Sequence, residues 1–198
     1  MAYCDSTLAA NITADCATLL EAQGFDNEAV IINRADIDFD SCTVSEDTNT
    51  ISVLKLKTGK KGYKCIQPGA TPFTGAQTTL NVGTYINGWD KQIPVIVFGD
   101  GPDVATLADG LANGTFVMLV KKKAVRHTES PNNIVKVYGW HNGLRASEGT
   151  QEDYSEDYKG GTAFTLQETN APKSTMWFFA TSAADTLAAF EALTSTAS

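Results

Sequence analysis

The chain has 198 residues, of which 42% are hydrophobic, 9% aromatic and 19% charged, enough for one well-buried core and too apolar for wholesale disorder. Twenty-three Asp and Glu against fifteen Lys and Arg leave a net charge of -8, which disfavours nucleic-acid binding by counterion release. No basic and apolar leader opens the sequence and no apolar run approaches the ~18 residues of a span, predicting neither export by a signal nor a membrane segment.

In chain order, residues 1–12 read as an arm and residues 13–23 as a short helix stopped by Gly24. The β-branched run at 29–33 and the alternation at 35–40 read as strands, the second with Ile37 and Phe39 inward and Asp36, Asp38 and Asp40 outward. Residues 51–57 and 63–67 flank TGKKG and predict an exposed antiparallel hairpin. Pro68, Gly69, Pro72 and Gly75 then break the pattern into a loop. The clearest hairpin is 77–98, with Asn87-Gly88 as its turn, and Pro94 marks an edge or a bulge because it cannot donate to a ladder.

Residues 101–113 form the best helix, with Val104, Leu107, Ala108 and Leu111 on one face, Asp100 as N-cap and Gly114 as stop. Strands at 115–120 and 133–139 make a second long hairpin or two-strand unit. Trp140, Asn142-Gly143 and Leu144 form a turn, and residues 148–157 carry five acids in an acidic loop. Gly160-Gly161 opens a strand at 162–168, residues 174–180 form an aromatic strand, and residues 183–198 form a C-terminal helix or arm. The expected fold is a single mainly β domain over 1–198. It is an antiparallel β-sandwich or half-barrel with one flanking helix, and its hairpins or arms join neighbouring subunits.

Charge is segregated. Residues 1–50 carry ten acids and only Arg34, residues 51–147 carry twelve bases and five acids, and residues 148–198 carry eight acids and two bases. A solvated dipolar surface explains this, and so do unlike patches that meet between copies.

Motifs with chemical promise lack their completing residues. Gly99-Asp100-Gly101 sits between strand and helix like a dinucleotide fingerprint, but Val104 stands at the third glycine and the Asp residues repel a pyrophosphate. Asp36, Asp38 and Asp40 resemble the start of a calcium loop, but Ser41 replaces its glycine and Asp47 its bidentate Glu, leaving a solvated strand face as the simpler reading. Cys4, Cys16, Cys42 and Cys65 contain no C-x-x-C pair and read as reduced, buried thiols. His127 and His141 stand in a polar loop and beside a turn, and Asp153 with Glu156 lacks an apolar frame to shift a pKa. Lys121, Lys122, Lys123 and Arg126 suit a solvated hairpin tip, an acidic polymer or the acidic end of another copy. The sequons at Asn11 and Asn113 matter only on a secretion route. No catalytic, cofactor-binding or metal residue is assigned, and the expectation is a protein that is not an enzyme.

The order of features is informative. An N-terminal acidic segment ending in AVIINRADID, the Gly- and Pro-punctuated loop, the 77–98 hairpin, LADGLANGTFVMLV, VKVYGWHNGL, the acidic loop and GGTAFTLQETNAPKSTMWFF cover most of the chain from about residue 12 to 180. Together they resemble the major tail (tail tube) proteins of long-tailed bacteriophages, most closely those of phages with Bacteroidetes hosts. The resemblance implies a virion protein, made in the host cytoplasm, whose six copies close into a ring with inner strands joined in one barrel. Rings would stack into a conduit through which the genome passes without specific binding, and other tail or connector proteins would be partners. It implies the strands at 77–98 and 115–139 as inner barrel and the termini and the 58–75 loop as bridges between rings. Lys121 to Lys123 would then face outward or toward an acidic neighbour. A capsid decoration or head-to-tail connector protein is the alternative. A carbohydrate- or protein-binding β-sandwich, using Trp89, Trp140 or Trp177 as an exposed platform, is the second.

Overall fold

The computed structural model describes residues 11–12, 23–123 and 132–196. In chain order its strands begin with β1 (Phe25–Asn33), β2 (Thr43–Ser45), β3 (Thr50–Val53), β4 (Tyr63–Ile66), β5 (Gln77–Asn81) and β6 (Gly88–Val97). Helix α1 (Pro102–Asn113) precedes β7 (Phe116–Lys122), β8 (Val135–Tyr138), β9 (Arg145–Gln151), β10 (Thr162–Ala171) and β11 (Met176–Phe178), and helix α2 (Ala183–Ala192) follows. A seven-strand sheet has the order β2-β3-β11-β8-β7-β1-β4 and a four-strand sheet the order β5-β6-β10-β9. Pairing is antiparallel throughout except between β11 and β3. The fold is therefore mainly β and sandwich-like, as the sequence predicts. The arm at 1–12, save residues 11–12, and the helix at 13–22 lie outside the described residues, as do Cys4, Cys16, Arg126 and His127.

The larger sheet is apolar on both faces, which explains the unbroken run Phe116 to Val120 in β7. Val117 and Leu119 point with Val30, Ile32, Val135 and Val137 toward Phe190 and Leu193 at the C-terminal helix. Phe116, Met118, Val120 and Tyr138 point the other way, onto Ile93, Val95, Phe164 and Leu166 of the smaller sheet. Three layers result, with α2, the seven-strand sheet and the four-strand sheet in that order. Helix α2 starts at Ser182, whose hydroxyl accepts from the Asp185 N–H at 3.1 Å, while the Asp185 carboxylate accepts from Thr181 and Ser182 hydroxyls. Those bonds hold the Asp185 carboxyl below its usual pKa. The segment is thus a capped helix and not an arm.

Several sequence expectations are corrected. Residues 51–57 and 63–67 do not pair: β3 lies between β2 and β11, whereas β4 pairs with β1 at the far edge of the same sheet. The buried β1 run needs a strand on each side, and that long-range demand outweighs the local turn. Gly62 lets the chain cross there, since a Cβ would stand 2.6 Å from Val30 and its N–H reaches the Leu193 carbonyl. The 58–75 segment is correspondingly not one free loop, because it contains β4 and buries Phe73 edge-on against Phe25.

Residues 35–40 are no strand: 3-10 turns at Arg34–Asp36 and Phe39–Ser41 flank Ile37, which is buried and bridges to Leu56. Phe39 is partly exposed, tilted on Trp140 with the Arg34 guanidinium 4.7 Å from its ring. Asn87-Gly88 is not the turn of the 77–98 hairpin, because Gly88 already pairs with Asn81 and residues 82–87 form the tip. Gly88 answers a different need, as a Cβ would strike the Asn170 side chain at the β10 bulge. Asp100 does not cap α1; Gly101 is the N-cap and Pro102 follows, a fixed φ suited to the first turn. Finally, Glu148 stands in β9 opposite Thr165, so the acidic segment is a strand before it is a loop.

Candidate assembly surface

The four-strand sheet buries one face only. Along β6 and β10, Lys91, Ile93, Val95, Val97, Phe164, Leu166 and Glu168 are buried, and the residues between them are half-exposed. The outward residues Gln92, Pro94, Ile96, Ala163, Thr165 and Gln167 carry no charge along the centre of the face, while Asp90 of β6 and Arg145 and Glu148 of β9, opposite Gln167 and Thr165, place charge at its margins. Strands β5 and β9 end the sheet and pair with nothing beyond it among the described residues. β5, QTTLN, has neither charge nor proline, the usual guards of an edge strand.

Another stretch of edge is closed internally. β5 pairs with β6 only as far as Gln92, and beyond it Pro94 has no N–H to satisfy. At Ile96 the buried Gln67 carboxamide does a strand's work, donating to the Ile96 carbonyl at 2.9 Å and accepting its N–H at 3.1 Å. Gln67 also extends the β4–β1 ladder by donating its own N–H to the Asn27 carbonyl, so one residue clips the two sheets together.

Inside the sandwich, Lys91 and Glu168 form an ion pair at 3.1 Å with 1% and 0% side-chain exposure. The ammonium lies off a hydrogen-bonding direction, so charge holds it. The carboxylate also accepts the N–H groups of Gly139, His141 and Asn142 at 3.1, 3.0 and 2.8 Å, tying the β8–β9 turn to β10. Sequence inspection missed this pair; the signal was a Lys and a Glu at inward positions of alternating strands. Near it, burial and then Lys91 push the Lys136 pKa down, and burial pushes the Tyr138 hydroxyl up.

The residues singled out from sequence are dispersed. The Asp36 carboxylate takes the Asn33 amide at 3.0 Å and the Lys60 ammonium at 3.3 Å, the first of which chiefly lowers its pKa. Asp38 accepts from Ser41 Oγ, and Asp40 is exposed, so the three carboxylates have separate surroundings. Among the described residues no group of three His, Cys, Asp or Glu is placed to hold a metal ion. His141 Nε2 lies 3.3 Å from Glu46, with no nucleophile in that contact. Lys121 pairs with Asp26 at 3.5 Å and Lys123 donates to the Ala70 carbonyl, so at least these two are used within the chain. The Asp100 carboxylate accepts from Gly101, while Asp153 and Glu156 are exposed. Asn11 and Asn113 are exposed, the latter bonded to Asp109. Trp140 is buried and Trp89 and Trp177 are half-buried, so none offers an open aromatic platform.

Two surfaces that sequence reading passed over are apolar. At the 82–87 tip Val82, Tyr85 and Ile86 are 76%, 88% and 73% exposed. Beside α1 lies a groove of about 440 Å³ with Ile31, Tyr63, Leu107, Leu111 and Phe116 in its walls, continuous with a smaller one reaching Ile66 and Val95. No helix among the described residues is long and apolar enough to cross a membrane. No family model, no curated protein and no solved structure matches the chain.

Proposed function

We propose that this protein is a virion structural component that self-assembles into stacked rings, the wall of a phage tail tube through which the genome passes. The observation that carries the reading is the four-strand sheet, whose outer face is uncharged along its centre, and whose two edges are unpaired among the described residues, β5 without charge or proline and β9 guarded only by Arg145 and Glu148. Its strands alternate in direction, so β9 of one copy meets β5 of a rotated copy antiparallel, and the alternation continues unbroken around the ring. Six copies would join about 24 strands. At ~4.8 Å between strands and a tilt of about 40°, the backbone ring is roughly 50 Å across, an open bore rather than a packed barrel.

The lining suits a passive conduit, because Thr and Gln along its centre offer phosphates no ion pair and the one cation among the described residues of the face, Arg145, is outnumbered by Asp90 and Glu148. The strands in this wall are β5, β6, β9 and β10. The 115–139 strands are excluded from it, since β7 is buried on both faces and cannot line water. The protein acts by assembly, with its own copies and further tail proteins as partners, and performs no chemistry.

Electron microscopy of the purified chain tests this. Rings with a central hole, or tubes of constant diameter, are expected. Strictly monomeric protein at high concentration, by light scattering and by imaging, overturns it and favours a decoration or connector role.

A further inference from the structure

We propose that the 82–87 tip of one copy inserts into the groove beside α1 of a second copy, forming the contact between stacked rings; this rests on the assembly reading above. The tip is Val-Gly-Thr-Tyr-Ile-Asn, without a charge, and its three large apolar side chains touch water almost fully. Such a cluster at the end of a hairpin marks an association site.

The receptor is on the same molecule at the other end of the same strand. The tip leads into β6 at Gly88, and the groove is reached where β6 ends and α1 begins, about 33 Å away for ten residues of strand. A tip that far from its own groove meets the groove of a copy displaced along the strand. The contact is therefore head to tail, and it repeats indefinitely, as stacking requires. Because β6 belongs to the proposed barrel wall, displacement along it has a component along the bore.

Gly110 gives a second, independent reason. It sits in the interior of α1 and in the groove wall, where glycine weakens a helix relative to alanine. Its φ is not positive, and an added Cβ would find nothing within 4 Å. Among the described residues nothing asks for glycine there, whereas a side chain arriving from another copy gains close approach to the helix. Leu107, exposed on the same wall, is the apolar contact left waiting. The uncharged tip also meets the Asp103 rim without adding like charge between two acidic chains.

A benzophenone amino acid placed at position 85 of the full-length chain, mixed with an equal amount of 15N-labelled wild type and irradiated after assembly, tests the contact. Cross-links from the unlabelled tip to labelled residues 102–116 or 61–66 are expected. In parallel, Tyr85→Asp and Leu107→Asp should each cut tube length at least tenfold while rings persist, and Gly110→Ala should raise Tm yet shorten tubes. Tubes that form with cross-links elsewhere, or only within one chain or to its own residues 1–22, overturn the contact and leave the assembly reading standing. A chain that never forms rings overturns both.

Discussion

Glu168→Gln isolates the energetic role of the buried pair. The substitution keeps shape and one carbonyl oxygen, which can still accept from His141 and Asn142. It puts an amide NH2 where a carboxylate oxygen met both the Gly139 N–H and the Lys91 ammonium. One buried N–H left unpaired costs about 1–3 kcal/mol, and a buried charge stripped of its partner brings the total to about 3–5 kcal/mol. For a chain of this length that lowers Tm by roughly 10 °C. Lys91→Met is milder, about 1–2 kcal/mol, because the remaining carboxylate keeps its three N–H donors. In Lys91→Met/Glu168→Gln the stranded ammonium is gone, so the double variant should recover at least ~2 kcal/mol relative to the sum of the singles. Chemical denaturation of the four proteins by circular dichroism completes the cycle. Additivity within about 0.5 kcal/mol, or a loss under ~1 kcal/mol for Glu168→Gln, would refute the account of the pair.

Gln67→Leu should cost about 2 kcal/mol in denaturant unfolding by stripping both bonds from Ile96, and the reopened β6 edge should raise aggregation in light scattering. Burial pushes the Cys65 thiol up to about 11, so at pH 8 its iodoacetamide reaction should run about a hundredfold slower than that of an ordinary thiol. Mass-spectrometric alkylation kinetics read this, and labelling of the native protein at the free-thiol rate contradicts it. Asp36 is held below its ordinary pKa, so its stability contribution is present above about pH 4 and disappears as pH falls through the folded value. Asp36→Asn should flatten that acid limb in unfolding titrations. Tyr138 has the opposite sign: its raised value gives stability below pH ~10 that is lost on further alkalinisation, and Tyr138→Phe should remove this loss. In assembled tubes, Thr165→Arg with Gln167→Arg should make the bore retain duplex DNA at ~50 mM salt and release it by ~200 mM, while unaltered tubes retain none at either.

The sequence was most readable where a pattern is enforced locally and over many residues. Helix α1 follows from Val104, Leu107, Ala108 and Leu111 at helical spacing, and β10 from the Gly160-Gly161 pair that opens it and the alternation of Phe164 and Leu166 with Thr165 and Gln167. The mainly β class and the pairing of β5 with β6 and β7 with β8 were legible for the same reason, since each pair is close in sequence. Failures came where a local signal competed with a distant partner. TGKKG is a good turn, but β1 has an apolar run that must be flanked on both sides, and only β4 supplies its outer neighbour. Asn87-Gly88 is a good turn as well, yet its glycine is taken by the approach of Asn170 from β10, 82 residues on.

Which face of a strand is wet depends on what is stacked over it, and that is decided by folding alone. The run Phe116 to Val120 shows that β7 is apolar, but not that one side of it meets α2 and the other the four-strand sheet. Lys91 and Glu168 look like surface residues until burial forces them to neutralise each other. The exposed tip and the groove beside α1 are separate apolar patches in sequence, and only the path of β6 sets them at opposite ends of one rigid strand. Composition and periodicity thus determined the kinds of element, because these depend on neighbours three or four residues away. Pairing, burial and the open edges depend on contacts across the whole chain, which no local pattern encodes.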